Sequence, residues 1–206
     1  MKKYFSTTVL FVLLVIAIPL AVFAVVNWYN NRFETIPVYG NAGHHIADFT
    51  FTNQQGEKIS SDAMKNKIVV ADFFFTHCLS VCPKMTGNLK KVQEAYSKDD
   101  QVQIISFTVD PLADSSKQLH QYAEIFGIDN TRWQLLTGGK KEIYKLARNS
   151  FMVVATDGDG GPADFIHSEK LVLIDNQKRI RGYYDGTDEK EVQKLITDIK
   201  KLKHEI

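Results

Sequence analysis

A single α/β domain behind one membrane-spanning helix is the architecture this sequence predicts, and three observations predict it. Residues 9–26 form an unbroken run without a charged or strongly polar side chain, preceded by Lys2 and Lys3. From about residue 46 onward, short apolar runs alternate with amphipathic stretches. The chain's only two cysteines, Cys78 and Cys82, fall between the first apolar run and the amphipathic stretch that follows it.

The N-terminal run is close to the roughly 20 residues a helix needs to cross a bilayer core. Lysines stand before it and the first basic residue after it is Arg32, so the positive-inside rule predicts a cytoplasmic N-terminus over 1–8 and a domain outside the cytoplasm. A cleaved signal peptide would have a shorter apolar core and a small-x-small site. Ala21-Val22-Phe23 and Ala24-Val25-Val26 both fail that pattern, and no cysteine near the span offers a lipid attachment point. The expectation is therefore an uncleaved signal anchor at 9–26, with Trp28 and Tyr29 at the interface. Residues 27–45 are polar without a clear period and read as a tether. The remaining stretch, 46–206, suits one domain with its own core. A net charge of +1 over 206 residues, with scattered Lys and Arg, lacks the basic footprint of a nucleic-acid-binding protein.

Within 46–206 the elements follow in order. Residues 49–52 and Ile59 flank Asn53-Gln54-Gln55-Gly56, a hairpin signal. Residues 68–75 are apolar in the manner of a strand buried on both faces. A helix is predicted over 83–97, with Met85, Leu89, Val92 and Tyr96 on one face. A second buried strand spans 102–109 and ends at Asp110-Pro111. Serine capping signals open a helix over 115–126, which Gly127 stops. A short strand at 133–136 precedes a helix at 140–148. Residues 171–175 and 179–184 pair around Asn176-Gln177-Lys178 as a second hairpin, and an amphipathic helix over 187–203 closes the chain. Strand, helix, strand, helix, then hairpin and helix is the thioredoxin-like plan, here with an N-terminal hairpin extension.

In that plan the dithiol sits between the first central strand and its helix. Unpaired N–H groups and the dipole at a helix start favour negative charge, so a cysteine there has its thiolate stabilised. Thiolates either exchange disulfides or hold soft metals. Residues four apart on a helix have Cβ atoms about 5–6 Å apart, wider than the roughly 3.5–4.5 Å of a disulfide. Two sulfurs each about 2.3 Å from a zinc-sized ion tolerate that spacing more easily. The spacing leans toward metal and leaves exchange open, because a first helical turn adapts. An inert disulfide would close only a small loop and add little stabilisation.

A metal needs more ligands. His204 lies at the chain end, His120 is mid-helix without a ligand-spaced partner, and His44 and His45 fall in the expected tether. His77 adjoins Cys78, which turns its side chain away from the sulfur pair. His167 follows an irregular glycine-rich stretch and precedes the strand at 171–175. In a thioredoxin-like fold the loop entering that strand covers the dithiol, and where thioredoxins carry a proline this chain has His167-Ser168. Asp110 and Asp114 are candidates either to orient the site or simply to form the turn at Asp110-Pro111. Met85 reads as core, and Phe75 as a shield beside the site.

These residues carry a resemblance. Phe74-Phe75-Thr76-His77-Cys78 with Val81-Cys82-Pro83, Val109-Asp110-Pro111 with Asp114-Ser115, and His167-Ser168 before 171–175 resemble the Sco/SenC family over about residues 49–200. The resemblance implies a membrane-anchored thioredoxin-like protein that serves assembly of the copper A centre of a cytochrome c oxidase. It implies copper held by Cys78, Cys82 and His167. The partners it implies are the oxidase copper A subunit as acceptor and a thioredoxin-like reductant. Leu79-Ser80 stands where many members have Pro-Asp, and Ile166 where many have an acid; these differences bear on affinity and reduction potential, not on the ligand set. The expected role is a metallochaperone on the periplasmic side of the cell membrane, with the dithiol also a redox-active pair. The competing role is a thiol–disulfide reductase that prepares the acceptor's cysteines and needs no His167. A peroxiredoxin-type peroxidase is disfavoured, since Ala71 and Phe75 hold the positions of its Pro and Thr.

Overall fold

The structure is a computed structural model that describes residues 7–33, 35–154, 158, 160–161 and 164–205, with the backbone alone at 7–10 and 27–33. It divides into two compact units, meeting in sequence at Thr35 and Ile36. The first contains helix α1 (Thr7–Phe33), which runs through Pro19 without interruption. Its side chains over 11–26 are all exposed, and most are large and apolar. Among the described residues no helix is long and apolar enough to cross a membrane. The span expected at 9–26 begins on two residues whose side chains fall outside the described set, as does most of the expected N-terminal segment 1–8.

The second unit is built on one seven-stranded sheet in the order β2-β1-β5-β4-β3-β6-β7. The central strands β3 (Ile68–Phe74), β4 (Val102–Thr108) and β5 (Trp133–Thr137) are parallel. β6 (Lys170–Ile174) and β7 (Ile180–Asp185) continue the sheet antiparallel beyond β3. On the other side the hairpin β1 (Thr50–Asn53) and β2 (Lys58–Ser60) pairs with β5. Every residue of β3 is buried, and its alternating side chains feed two cores. Ile68, Val70 and Phe74 pack with α2 (Val81–Ala95), α3 (Ser116–Phe126) and α5 (Glu189–Glu205). Val69, Ala71 and Phe73 face α4 (Lys140–Lys145) and β1. This is the mixed sheet with helices on both faces that the order of apolar runs implied.

Local rules set most boundaries. Ser115 accepts from the Gln118 N–H to open α3, and Gly127 closes it at φ 61°, a left-handed conformation that costs glycine little. The helix expected over 140–148 is shorter: α4 ends at Lys145 and gives way to a π-helical turn, Leu146–Ser150. Such turns absorb an extra residue within a helix.

Residues 36–46, within or at the edge of the stretch expected to be tether, are bonded to the domain. Tyr39 bridges Ile180, Ile46 N–H donates to the Lys178 carbonyl at 2.8 Å, and Ile36 and Ile46 are buried. Arg181 donates to the Ile36 carbonyl at 2.5 Å and to that of Pro37 at 3.2 Å. His44 and His45 hydrogen-bond the carbonyls of Ser150 and Gln177. No local period signals this strap, because its partners lie more than a hundred residues away.

Candidate metal and redox site

The parallel strands β3 and β4 end at the same edge of the sheet, and the loops that follow them build the site. α2 begins at Val81, so Cys82 lies in its first turn and Cys78 in the turn before it, not on the helix face expected from the spacing. Cys78 N–H donates to the Phe75 carbonyl at 3.3 Å. The Cys82 N–H then donates to the Cys78 Sγ at 3.3 Å. Ser80, at the N-cap position, makes no side-chain cap; a sulfur stands where a cap oxygen would. Both thiols are free and buried.

Their environments differ in sign. Burial pushes the Cys78 thiol up, but the backbone N–H groups of Cys82, Ser80 and Val81, together with the Cys82 side chain, outweigh it and leave its pKa lowered. Burial dominates at Cys82 and pushes it up to about 12, despite the Phe75 N–H and with the Cys78 sulfur adding to the rise. The thiolate-stabilising helix start expected from the sequence therefore serves the cysteine outside the helix.

Asp114 holds the loop in place. Its fully buried carboxylate accepts from the Thr76 N–H at 3.1 Å, the Thr76 hydroxyl at 2.5 Å and the Thr108 hydroxyl at 2.5 Å. It thus ties the start of the cysteine loop to the end of β4. Asp110 serves the turn, its carbonyl accepting from the N–H groups of Ala113 and Asp114. Met85 is core, as expected. His77 is exposed, with Nδ1 3.2 Å from the Thr76 hydroxyl.

Asp72 is a site residue that sequence reasoning passed over. It is buried within β3 and accepts from the Ser106 hydroxyl, which in turn accepts from the Trp133 indole N–H at 2.8 Å. Burial pushes its carboxyl up to about 7, with Ser106 opposing, and its charge contributes to the rise at Cys82. One acid inside an otherwise apolar run was the available signal.

His167 comes from the loop that enters β6. It is exposed, on the loop 164–169, and lines a depression of about 420 Å³ with Val153, Tyr183 and Asp185. Among the described residues no three His, Cys, Asp or Glu side chains are grouped to hold a metal ion. The same loop nevertheless reaches the cysteine side, where the Phe165 ring meets Phe75 edge-on at 5.1 Å. β6 pairs Val172 with Ala71 and runs antiparallel to β3, so the loop that enters β6 lies at the end of the sheet where β3 runs out.

The SCO1/SenC family model matches residues 38–204. The chain belongs to the SCO1/SenC family. It is 31% identical to the SCO1 protein homolog of Bacillus subtilis over 159 residues, 76% of this chain and 82% of that protein. Among solved structures it is similar to BsSco, described as having a disulfide switch and as one of the Sco family of cytochrome c oxidase assembly proteins. There the identity is 30% and the TM-score 0.67, covering 80% of this chain and 96% of that one. It is also similar to Bradyrhizobium japonicum ScoI, solved with copper bound, at 25% identity and a TM-score of 0.61, covering 78% and 99%. The family's thioredoxin-like layout is the one the sheet order displays.

Proposed function

We propose that this chain is a membrane-anchored copper chaperone that binds copper through Cys78, Cys82 and His167 and passes it to the copper A subunit of a cytochrome c oxidase. The observation that carries the reading is the pair of free thiols joined by the Cys82 N–H···Sγ contact at the head of α2, in a family with a copper-bound member. Two thiolates and one imidazole make a soft, low-coordination donor set suited to Cu(I), with a position left open for transfer. His167 would join from the loop 164–169, whose neighbour Phe165 already touches the cysteine side. Asp114 fixes where Thr76 and the cysteine loop stand. Binding requires both sulfurs deprotonated and unbridged, so the dithiol is the competent form and a thioredoxin-like reductant must keep it so. The uncharged run 9–26 behind Lys2 and Lys3 supports a single-pass anchor with the domain on the periplasmic side.

The opposed shifts at Cys78 and Cys82 favour a second reading, a thiol–disulfide reductase acting on the acceptor's cysteines, with Cys78 as attacking sulfur. Anaerobic Cu(I) titration of the full chain against a competing chelator separates the two. The chaperone reading expects His167→Ala to weaken copper binding by about 10-fold or more. Parent-like copper affinity in that variant, with reductase activity intact, would leave the reductase reading alone.

A further inference from the structure

Three large apolar side chains at the dithiol's end of the sheet are exposed. Leu79 is 97% exposed, Leu112 91% and Phe165 52%. They come from three different loops: after β3, after β4 and before β6. Because β3 and β4 are parallel and β6 runs against them, all three loops emerge at the same end of the sheet. Single exposed leucines are ordinary on a protein surface, but three on loops at the end of the sheet that carries the two buried sulfurs are not scattered.

Among their immediate chain neighbours only Asp164 carries a charge. Ser80 and Val81 follow Leu79, Pro111 and Ala113 flank Leu112, and Ile166 follows Phe165. The nearest acid by Phe165, Asp164, is already bonded to Arg148 at 2.7 and 2.8 Å. The sulfurs are nearly covered by the chain itself, Cys78 at 9% and Cys82 at 4% exposure, so a reacting group must press into this face to reach them. Three such side chains offer on the order of a few hundred Å², well below the roughly 800 Å² per partner of a stable complex. That area suits a brief encounter and falls short of a dimer.

We propose that Leu79, Leu112 and Phe165 form an apolar collar that docks an extended, uncharged segment of a partner protein carrying its own cysteine sulfurs between apolar neighbours. The proposal rests on the reading of Cys78 and Cys82 as a reacting centre. It adds what that reading lacks, the chemistry of the partner's contact.

The test uses the reduced full chain in mild detergent and two cyclic disulfide peptides, one with Leu and Phe beside its cysteines and one with Ser and Asn. In the reaction read out, one thiolate of the pair attacks a peptide sulfur and the peptide S–S bond breaks. The second thiolate then displaces the mixed disulfide. The chain ends as the Cys78–Cys82 disulfide and the peptide as a dithiol, which takes up the two electrons and two protons. The parent should react about ten-fold faster with the apolar-flanked peptide, with little dependence on salt. The combined Leu79→Ser, Leu112→Ser, Phe165→Ser variant should lose that preference while reacting with oxidised glutathione at the parent's rate. Leu112→Ser alone should lose part of it, which covers the case of a triple variant that folds poorly. Equal rates with both peptides in the parent, including no reaction with either, overturn the collar, as does a preference that survives all three substitutions. Parent self-association that the triple variant abolishes would also overturn it, assigning the face to a second copy. Copper titration of the same samples keeps the two ideas separable: copper binding can fail while the peptide preference stands, and the reverse.

Discussion

The two ends of the sheet are built on opposite principles. At the β6–β7 turn, Asp175 is fully buried and meets Arg179 at 2.7 Å and Arg181 at 3.2 Å. Arg181 also pairs with Glu205 and bonds the strap carbonyls of Ile36 and Pro37, while Glu205 accepts from the Ile36 N–H at 2.9 Å. At the other end, the unbridged Cys78 sulfur accepts from the Cys82 N–H, and Leu79 and Leu112 face water. Charge, strap and the end of α5 are locked together at one end of the sheet, and free thiols and exposed apolar side chains lie at the other. Stability and function are therefore separable by position.

The largest expected effect lies at the locked end. Arg181→Ala leaves the buried Asp175 with one paired cation, Arg179, where it had two, and frees two strap carbonyls. Breaking a buried pair from one side costs about 3–5 kcal/mol. Denaturant unfolding should show that loss, while copper affinity of the folded fraction stays at the parent value. A large loss of copper affinity would mean that the two ends are coupled.

Asp114→Ala, at the reactive end, removes the acceptor of three donors, at about 1–3 kcal/mol for buried groups left unsatisfied. It should also slow or randomise thiol reactivity, because Thr76 loses its tie to β4. A variant that is less stable with unchanged Cys78 reactivity would reduce Asp114 to a purely structural role.

Asp72 predicts a pH effect that crosses the comparison. Its carboxyl is pushed up to about 7 from 3.8 by burial, so between those values the folded state holds a proton that the unfolded state has lost. Stability is then favoured below about pH 4 and falls as pH rises through about 7, by up to roughly 1.4 kcal/mol per pH unit over that window. Asp72→Asn, which keeps an acceptor for Ser106, should flatten this slope in unfolding curves taken from pH 4 to 8. An unchanged slope would place the ionisation elsewhere.

The smallest effect is kinetic. Cys78, with its lowered pKa, should be alkylated by iodoacetamide before Cys82 at neutral pH, as peptide mass spectrometry would show. Labelling of Cys82 first would reverse the roles of the two sulfurs.

What could be read from the chain was what local patterns carry. The apolar run at 68–75, the cap at Ser115 and the stop at Gly127 express rules that act within a few residues, and the structure follows them closely. That Cys82 lies at the start of a helix was legible for the same reason, although the helix expected over 83–97 begins two residues earlier, at Val81. Cys78 was not: whether a helix starts two residues earlier or later depends on hydrogen bonds that no composition reveals, and here its own sulfur supplies the cap. The strap at 36–46 was illegible because its polar, aperiodic residues are held by Arg181 and the Lys178 carbonyl, far along the chain. Asp110 and Asp114 looked equivalent in sequence. Only the register of β3 against β4 decides that Asp114 reaches Thr76 and Thr108 while Asp110 shapes the turn. His167 was chosen for its place before β6, and the structure puts it on that loop, exposed.

The central claim is that Cys78 and Cys82 gate copper by their redox state. The direct measurement is anaerobic copper titration of the full chain, once with the dithiol reduced and once with the disulfide formed by a mild oxidant. The account predicts one tightly bound copper per reduced chain and none per oxidised chain, with binding restored on reduction. Equal copper binding by the two forms would contradict it.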